Sequence, residues 1–388
     1  MTPSLVAWEG SSLTTQVEQP TKTLERINPY SEFLRAEGIP VVRGFAIDDL
    51  KTLELEPWAR KGGRGVYVNL EGTGGTNDAY VCEIPPGGSL NPERHLFEEM
   101  IYVVDGNGAT SVWYEAEHKR SFEWHTGSLF AIPLNARFQH FNTSGRRPAR
   151  FLAVTNAPVI FNLFHNERFV FDCDFVFDDR FAGEEQYFDG KGEIYQANWG
   201  RRNTLVTNFV PDTHGLELYE WRARGAGGRN VMIELAHNTM AAHISEFPVG
   251  TYKKAHRHGP GAHVIILSGQ GYSLLWPQGK DITRVDWQPG SVVVPPNQWF
   301  HQHFNSGATP ARYLALRWGS QRYDTGGAFT SDEGDIGRSG ADVSVKEGGW
   351  QIEYADEDPA IHATFEAELA SAGAQCRMRG EVEWCRGA

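Results

Sequence analysis

The chain has 388 residues, 40% of them hydrophobic and 22% charged, the balance of an ordinary globular protein and one that excludes disordered, collagen-like and membrane-spanning classes. At roughly 100 to 200 residues per domain the length calls for two or three domains. Lys and Arg number 36 against 49 Asp and Glu, a net charge of −13, so nucleic acid and acidic membrane surfaces are not expected partners: either would have to bind against the field of the whole molecule.

Residues 1–10 lack the basic and apolar regions of a signal peptide, and no stretch approaches about 18 consecutive apolar residues, so a cytoplasmic protein is expected. Cys82, Cys173, Cys376 and Cys385 form no CxxC pair and read as reduced thiols, a Cys376–Cys385 bridge being the alternative. In chain order, residues 1–60 read as an arm with a short helix near Ser31 to Glu37. Short apolar runs punctuated by Gly and Pro follow, such as those from Glu99 to Gly106 and from Ser128 to Pro133, and read as antiparallel strands. Residues 160–215, rich in Phe, Asp and Asn, read as a connection. Strand-like runs resume from His263 to Gly269 and from Ser291 to Pro296. The Gly/Asp/Ser-rich stretch from Gly319 to Gly340 reads as a mobile loop or a lid. A helix is expected from Asp358 as N-cap, with Pro359 in its first turn, Ile361, Phe365 and Leu369 on one packing face, and a stop at Gly373.

The chain also repeats itself. From about residue 80 to 142, adding 163 carries Pro85 to Pro248, Arg94 to Arg257, His95 to His258, Gly106 to Gly269, Trp113 to Trp276, Pro133 to Pro296 and His140 to His303 without a gap. After a one-residue slip, the run from Pro148 to Ala153 matches the run from Pro310 to Ala315. Two copies of one β domain are therefore expected. In each copy a strand and a His-bearing loop lead to a strand ending in Gly-x-Gly, and a second block opens with Gly and reaches Pro six residues later. In the second copy these blocks hold Gly250, His256, His258 and Gly269, then Gly290, Pro296, His301 and Asn305. The spacing resembles the two motifs of the cupin superfamily, which implies an all-β fold of two tandem jelly-roll barrels with short helices in the arm and tail. The implied division is an arm at 1–60, a barrel at 61–159, a connection at 160–215, a second barrel at 216–318, and a loop with the C-terminal helix at 319–388.

Duplication supplies an internal control. His140 and His303 occupy one column and read as structural barrel histidines; Trp113 and Trp276 read as core aromatics. The ligand columns differ: His256, His258 and His301 in the second copy face Glu93, His95 and Phe138 in the first. Residues 256 and 258 share a strand face, and a neighbouring strand can bring His301 to them. Three imidazoles on one face of an octahedral ion leave positions open for substrate and dioxygen. The second barrel is thus the expected metal site, and the first a scaffold, with Glu93, His95 and Glu99 as its residual alternative. The carboxylate that usually completes a cupin site is replaced by Ala262, leaving a neutral donor set that suits Fe(II), with Mn or Zn as alternatives.

The segment from His256 to Ala262 is similar to the His-Arg-His-x-x-small-Ala segment of gentisate-type ring-cleaving dioxygenases. That resemblance implies Fe(II) on His256, His258 and His301, and an aromatic hydroxy-carboxylate of the gentisate or salicylate kind that chelates the metal before O2 is inserted. It also implies a homo-oligomer, a dimer or tetramer. Val264 stands where the family has a substrate-gripping arginine, and Pro260 where it has glutamine; Arg317 is the replacement clamp, or else a salt-bridge partner. Val264, Ile266, Trp276, Trp299 and Phe300 form the expected apolar wall. His243 is a candidate pocket residue, and His263 faces away from the metal, behind the ligands or at an interface. Two further readings stand beside the dioxygenase: a Mn or Zn bicupin acting as isomerase, decarboxylase or aminohydrolase, and a non-catalytic bicupin, against which the intact histidine triad argues.

Overall fold

A computed structural model of the chain describes residues 24–73, 75–196, 202–323 and 340–385. Most of the expected Gly/Asp/Ser-rich loop, 324–339, lies outside the described residues. Each half of the chain forms a jelly-roll barrel made of one large sheet and one three-stranded sheet. In the first barrel, Gly63–Val68, Asp78–Ile84, Ala149–Thr155, Glu99–Asp105 and Leu129–Ile132 lie side by side in that order, opposite a small sheet of Arg137–Asn142, Asn107–Trp113 and Arg120–His125. The second barrel repeats the order with Arg229–Leu235, Met240–Phe247, Ala311–Trp318, His263–Ser268 and Val292–Val293, opposite Thr283–Trp287, Gly271–Trp276 and Phe300–Asn305. The fold is all-β with short helices, as the repeat and its punctuation imply.

The central strands of the large sheets are buried at nearly every position, and strand alternation explains why. One set of alternate residues, including Val66, Val81, Leu152 and Val154, meets Val231, Ile244, Leu314 and Leu316 of the other barrel in a single core between the two large sheets. The other set, including Tyr67, Tyr80, Cys82 and Phe151, fills the first barrel itself. Each aliphatic side chain so buried contributes about 1.5–3 kcal/mol. The barrels also exchange equivalent strands: Ala46–Ile47, from the arm, pairs with Val292–Val293 of the second barrel, while Phe209–Val210, from the connection, pairs with Leu129 and Phe130 of the first. A polar latch reinforces the interface, where the buried Glu98 carboxylate accepts hydrogen bonds from the backbone N–H of Thr239 at 2.8 Å and of Met240 at 2.9 Å.

Among the described residues four α-helices flank the barrels: α1 (Pro29–Ala36), α2 (Ala157–Phe164), α3 (Glu167–Asp172) and α4 (Pro359–Ser371). Asn28 caps α1 by accepting from the N–H of Ser31, and Asp358 caps α4 by accepting from Ala360. Phe365 and Leu369 of α4 are buried, and the helix gives way at Gly373, whose φ of 67° only glycine adopts cheaply. The two connection helices were not expected from the Phe/Asp/Asn-rich composition; their signals are Pro158 in the first turn of α2 and Asn166, whose side chain caps α3 at 2.9 Å. No helix among the described residues is long and apolar enough to cross a membrane.

Tyr30 of α1 fixes the arm to the first barrel by donating to the fully buried Asp78 at 2.7 Å, and Asn69 donates to the same oxygen at 3.0 Å. Burial raises the Asp78 carboxyl to about 7, the hydrogen bonds from Tyr30 and Asn69 offsetting it only in part. An unfolded Asp titrates near 3.9, so between about pH 4 and pH 7 the folded chain holds a proton that the unfolded chain has lost. This group's contribution to stability therefore falls as pH rises through that window. Asp78→Asn removes the dependence: the melting temperature of the variant minus that of the wild type should increase from pH 4 to pH 7.5, and a difference that stays flat contradicts the assignment.

Candidate metal centre

The second barrel brings His256, His258 and His301 together. The extended backbone at His256 pairs with His301 through reciprocal N–H to carbonyl bonds of 3.1 and 2.8 Å, and His258 follows two residues on. Ring centroids lie 4.2 Å (256 to 301), 4.9 Å (258 to 301) and 5.7 Å (256 to 258) apart, with one ligand nitrogen from each ring within 4.8 Å of the others. Nδ1 of His256 is 3.1 Å from the carbonyl of Lys254, and Nδ1 of His301 is 3.2 Å from that of Trp299. A carbonyl only accepts, so both Nδ1 atoms carry hydrogen and both Nε2 lone pairs are left for a ligand. Burial, followed by the charge of Arg224 and of neighbouring imidazoles, holds His256 well below the usual imidazole range; burial also lowers His258 strongly and His301 to about 4. All three are neutral donors at physiological pH. This set fits a divalent first-row ion such as Fe(II), Mn or Zn.

The histidines open onto a cavity of about 60 Å³. Its wall carries Arg202, Arg224, Lys253 and Arg317, and among the described residues no carboxylate lines it. Arg202 and Arg224 share Asp342 of the C-terminal tail at 3.0 and 3.1 Å, behind the wall. Lys253 donates to the Tyr313 hydroxyl at 2.9 Å. Burial alone would raise the Tyr313 phenol, but the Lys253 ammonium, a hydrogen bond with Ser245 and the charge of Arg224 together bring it below its ordinary value. Burial and then Arg202 lower the Arg317 guanidinium to about 9, leaving it cationic near neutral pH. The site is therefore a small, buried, electropositive chamber.

The remaining sequence candidates divide. Val264, His243, His303 and Arg317 line the cavity. His303 places Nδ1 2.7 Å from the Ser273 hydroxyl, which also receives the Trp287 indole N–H at 3.0 Å; His140, Thr110 and Trp124 repeat this arrangement in the first barrel at 2.7 and 2.8 Å. The repeated core tryptophans are thus Trp124 and Trp287. Trp113 and Trp276 are half-exposed instead. The expectation that Trp276 and Phe300 wall the cavity is corrected by strand register: Leu275 pairs with His301, which faces inward, so Trp276 and its partner Phe300 face outward, stacked at 5.7 Å. They line an outer groove with Arg257 and Trp350. His263 is buried at the barrel interface, with Nδ1 3.2 Å from the side-chain amide of Asn77.

Sequence reasoning missed Arg224, Lys253 and Tyr313, although the repeat contained the signal. The bonds from the N–H of Lys253 to the His303 carbonyl and from Lys254 to that of Arg224 recur as Leu90 to His140 and Asn91 to Lys61. These columns pair Lys253 with Leu90, Tyr313 with Phe151 and Arg224 with Lys61, so two of the three turn polar only beside the histidine triad.

In the first barrel the same column of cations has another use. Lys61 and Arg60 both bind Glu93, which stands where His256 does, and His95 binds Glu99 at 2.9 Å. Burial would raise Glu93, but Lys61 and Arg60 together keep it below the usual carboxylate range; Glu99, raised by burial, is brought to about 2 by His95 and Lys61. The Lys61 ammonium, itself buried, neutralises the residual cluster from within. Removing one partner of such a buried pair is costly, whereas an apolar replacement of both is often tolerated. Lys61→Met should accordingly cost about 3 kcal/mol in urea unfolding, and Lys61→Met with Glu93→Leu should recover most of it; a double variant that loses the sum of the two single costs disproves the pairing.

Residues 80–155, within the first barrel, match the family described as Cupin domain. No curated protein matches the chain. Similar solved structures include an oxalate decarboxylase of Bacillus subtilis with Mn(II) centres, at 15% identity and a TM-score of 0.47 over 73% of this chain and 79% of that one. Another is the oxalate decarboxylase of Lactobacillus farciminis in complex with formate, at 17% identity and a TM-score of 0.47 over 72% and 87% of the two chains.

Proposed function

We propose that this chain is a metal-dependent enzyme acting on a small carboxylate anion, in the decarboxylase or isomerase class served by Mn or Zn. One observation carries the reading: three neutral imidazole donors open onto a small chamber that, among the described residues, is lined with guanidinium and ammonium groups and no carboxylate. The cavity is small, about 60 Å³, and its cationic lining suits a small acid anion. A bound divalent ion would supply Lewis-acid polarisation of a substrate oxygen. Arg317 and Arg224 offer planar donors that match a carboxylate and fix its orientation. Tyr313, paired with Lys253, places an exchangeable proton at Oη on the cavity wall, where the phenol can give a proton to a substrate carbon or oxygen and regain it from the ammonium. Burial keeps bulk water from competing for these groups.

A second reading, the Fe(II) ring-cleaving dioxygenase acting on a gentisate- or salicylate-like acid with O2, is supported by the His256 to Ala262 segment and by the lack of a carboxylate ligand at Ala262. The two separate on stoichiometry. Metal-loaded protein is offered oxalate and related short acids, then gentisate and salicylate, while CO2 release and O2 uptake are followed together. The first reading expects turnover of a short acid without proportionate O2 consumption; one O2 consumed for each aromatic molecule opened would replace it with the second. In either case His256→Ala should lose the bound metal and fall to background activity, and full turnover without that imidazole ends both. Arg317→Ala should raise KM about tenfold or more, with metal content unchanged.

A further inference from the structure

A second cluster of metal-ligating side chains lies outside the barrel, where the C-terminal helix meets the tail. His362 and Glu366 stand at i and i+4 on α4 and so share a face. After the helix stops, the chain reverses and is tied to the second barrel by the N–H of Arg377 donating to the carbonyl of Gly250 at 2.8 Å. Tight turns around Gly380 then return Cys385 to Cys376. The two sulfurs are 3.3 Å apart, Cys376 Sγ is 4.0 Å from His362 Nε2, and Glu366 Oε1 is 3.3 Å from the same nitrogen. All four donor atoms lie within 4.8 Å of one another. On a tetrahedral ion, bonds of about 2.0–2.3 Å place the ligands roughly 3.3–3.8 Å apart, close to the spacings found.

A separate observation shows that the histidine is set up for this. The Tyr252 hydroxyl donates to the Glu357 carboxylate at 2.7 Å, and His362 Nδ1 is 3.1 Å from the same hydroxyl oxygen. With its one proton committed to Glu357, Tyr252 can only accept, so Nδ1 carries a hydrogen, and Nε2 is turned to the side of the ring where the Glu366 carboxylate and the Cys376 sulfur lie. A carboxylate, a phenol and an imidazole arranged in series are the outer support that metal-binding histidines use. We propose that His362, Glu366, Cys376 and Cys385 form a structural zinc site that fastens the tail to α4 and to the second barrel. Two thiolates with an imidazole and a carboxylate are a donor set matched to zinc. Its role extends inward, because Glu357 also accepts from Gln302, which lies between His301 and His303 on one strand.

The test uses the full chain with His256, His258 and His301 all replaced by Ala, so that zinc at the barrel site cannot contribute. Reduced, metal-stripped protein is reconstituted with zinc alone and dialysed. One zinc ion retained per chain, lost when Cys376→Ser and Cys385→Ser are added, is the expected result; no retained zinc, or zinc that survives loss of both thiols, overturns the proposal. In wild-type protein, which avoids any folding defect of the variants, zinc should protect Cys376 and Cys385 from alkylation until a chelator is added, with Cys82 and Cys173 unaffected by the chelator. Cobalt in place of zinc should give a thiolate-to-metal charge-transfer band. Equal alkylation with and without chelator, or a disulfide joining Cys376 to Cys385 in protein alkylated at lysis, would refute the site.

Discussion

Two imidazoles two positions apart on extended backbone, His256 and His258, face the same way, and the reciprocal backbone bonds between His256 and His301 bring a third to the same spot. The backbone carbonyls of Lys254 and Trp299 then hold the Nδ1 protons, so the lone pairs converge without help from any acidic group. The rest of the site follows from this constraint. With residue 301 facing inward, residues 300, 302 and 304 must face outward, which sends Phe300 to an outer groove, Gln302 to Glu357, and Phe304 into contact with Phe365 of α4.

The two barrels show how one backbone arrangement serves opposite electrostatic ends. In the first, acidic and cationic side chains occupy equivalent columns and neutralise each other, Glu93 against Lys61 and Arg60. In the second, the acid is replaced by an imidazole and the corresponding cation, Arg224, turns to Asp342 of the tail. Positive charge is left over at the cavity wall, and an anion is its natural complement. The first barrel remains indispensable as the surface against which the large sheet of the second is buried.

Segments far apart in sequence hold the reactive barrel in shape. The arm lends it the strand Ala46–Ile47, the tail supplies the paired backbone at Gln351 beside His256, and Asn77 reaches across to His263. A buried cluster of like charges such as Arg202, Arg224 and Arg317 is costly to assemble. Asp342 offsets two of the three, Arg202 and Arg224.

Much of this was legible in the chain itself. The 163-residue repeat, the Gly and Pro punctuation and the uninterrupted apolar runs determined a doubled β barrel, because strand length and turn chemistry are local properties. Comparing columns singled out His256, His258 and His301, since the donors persist in one copy only. What folding alone decided is everything that depends on which face of a strand meets which neighbour: that Trp276 turns outward, that Lys253, Tyr313 and Arg224 meet at the cavity, that Lys61 lies against Glu93, and that Glu366, Cys376 and Cys385 converge around His362. These juxtapositions join residues from a few to about ninety positions apart. Their distance along the chain carries no information about direction in space, and only the register of paired strands supplies it.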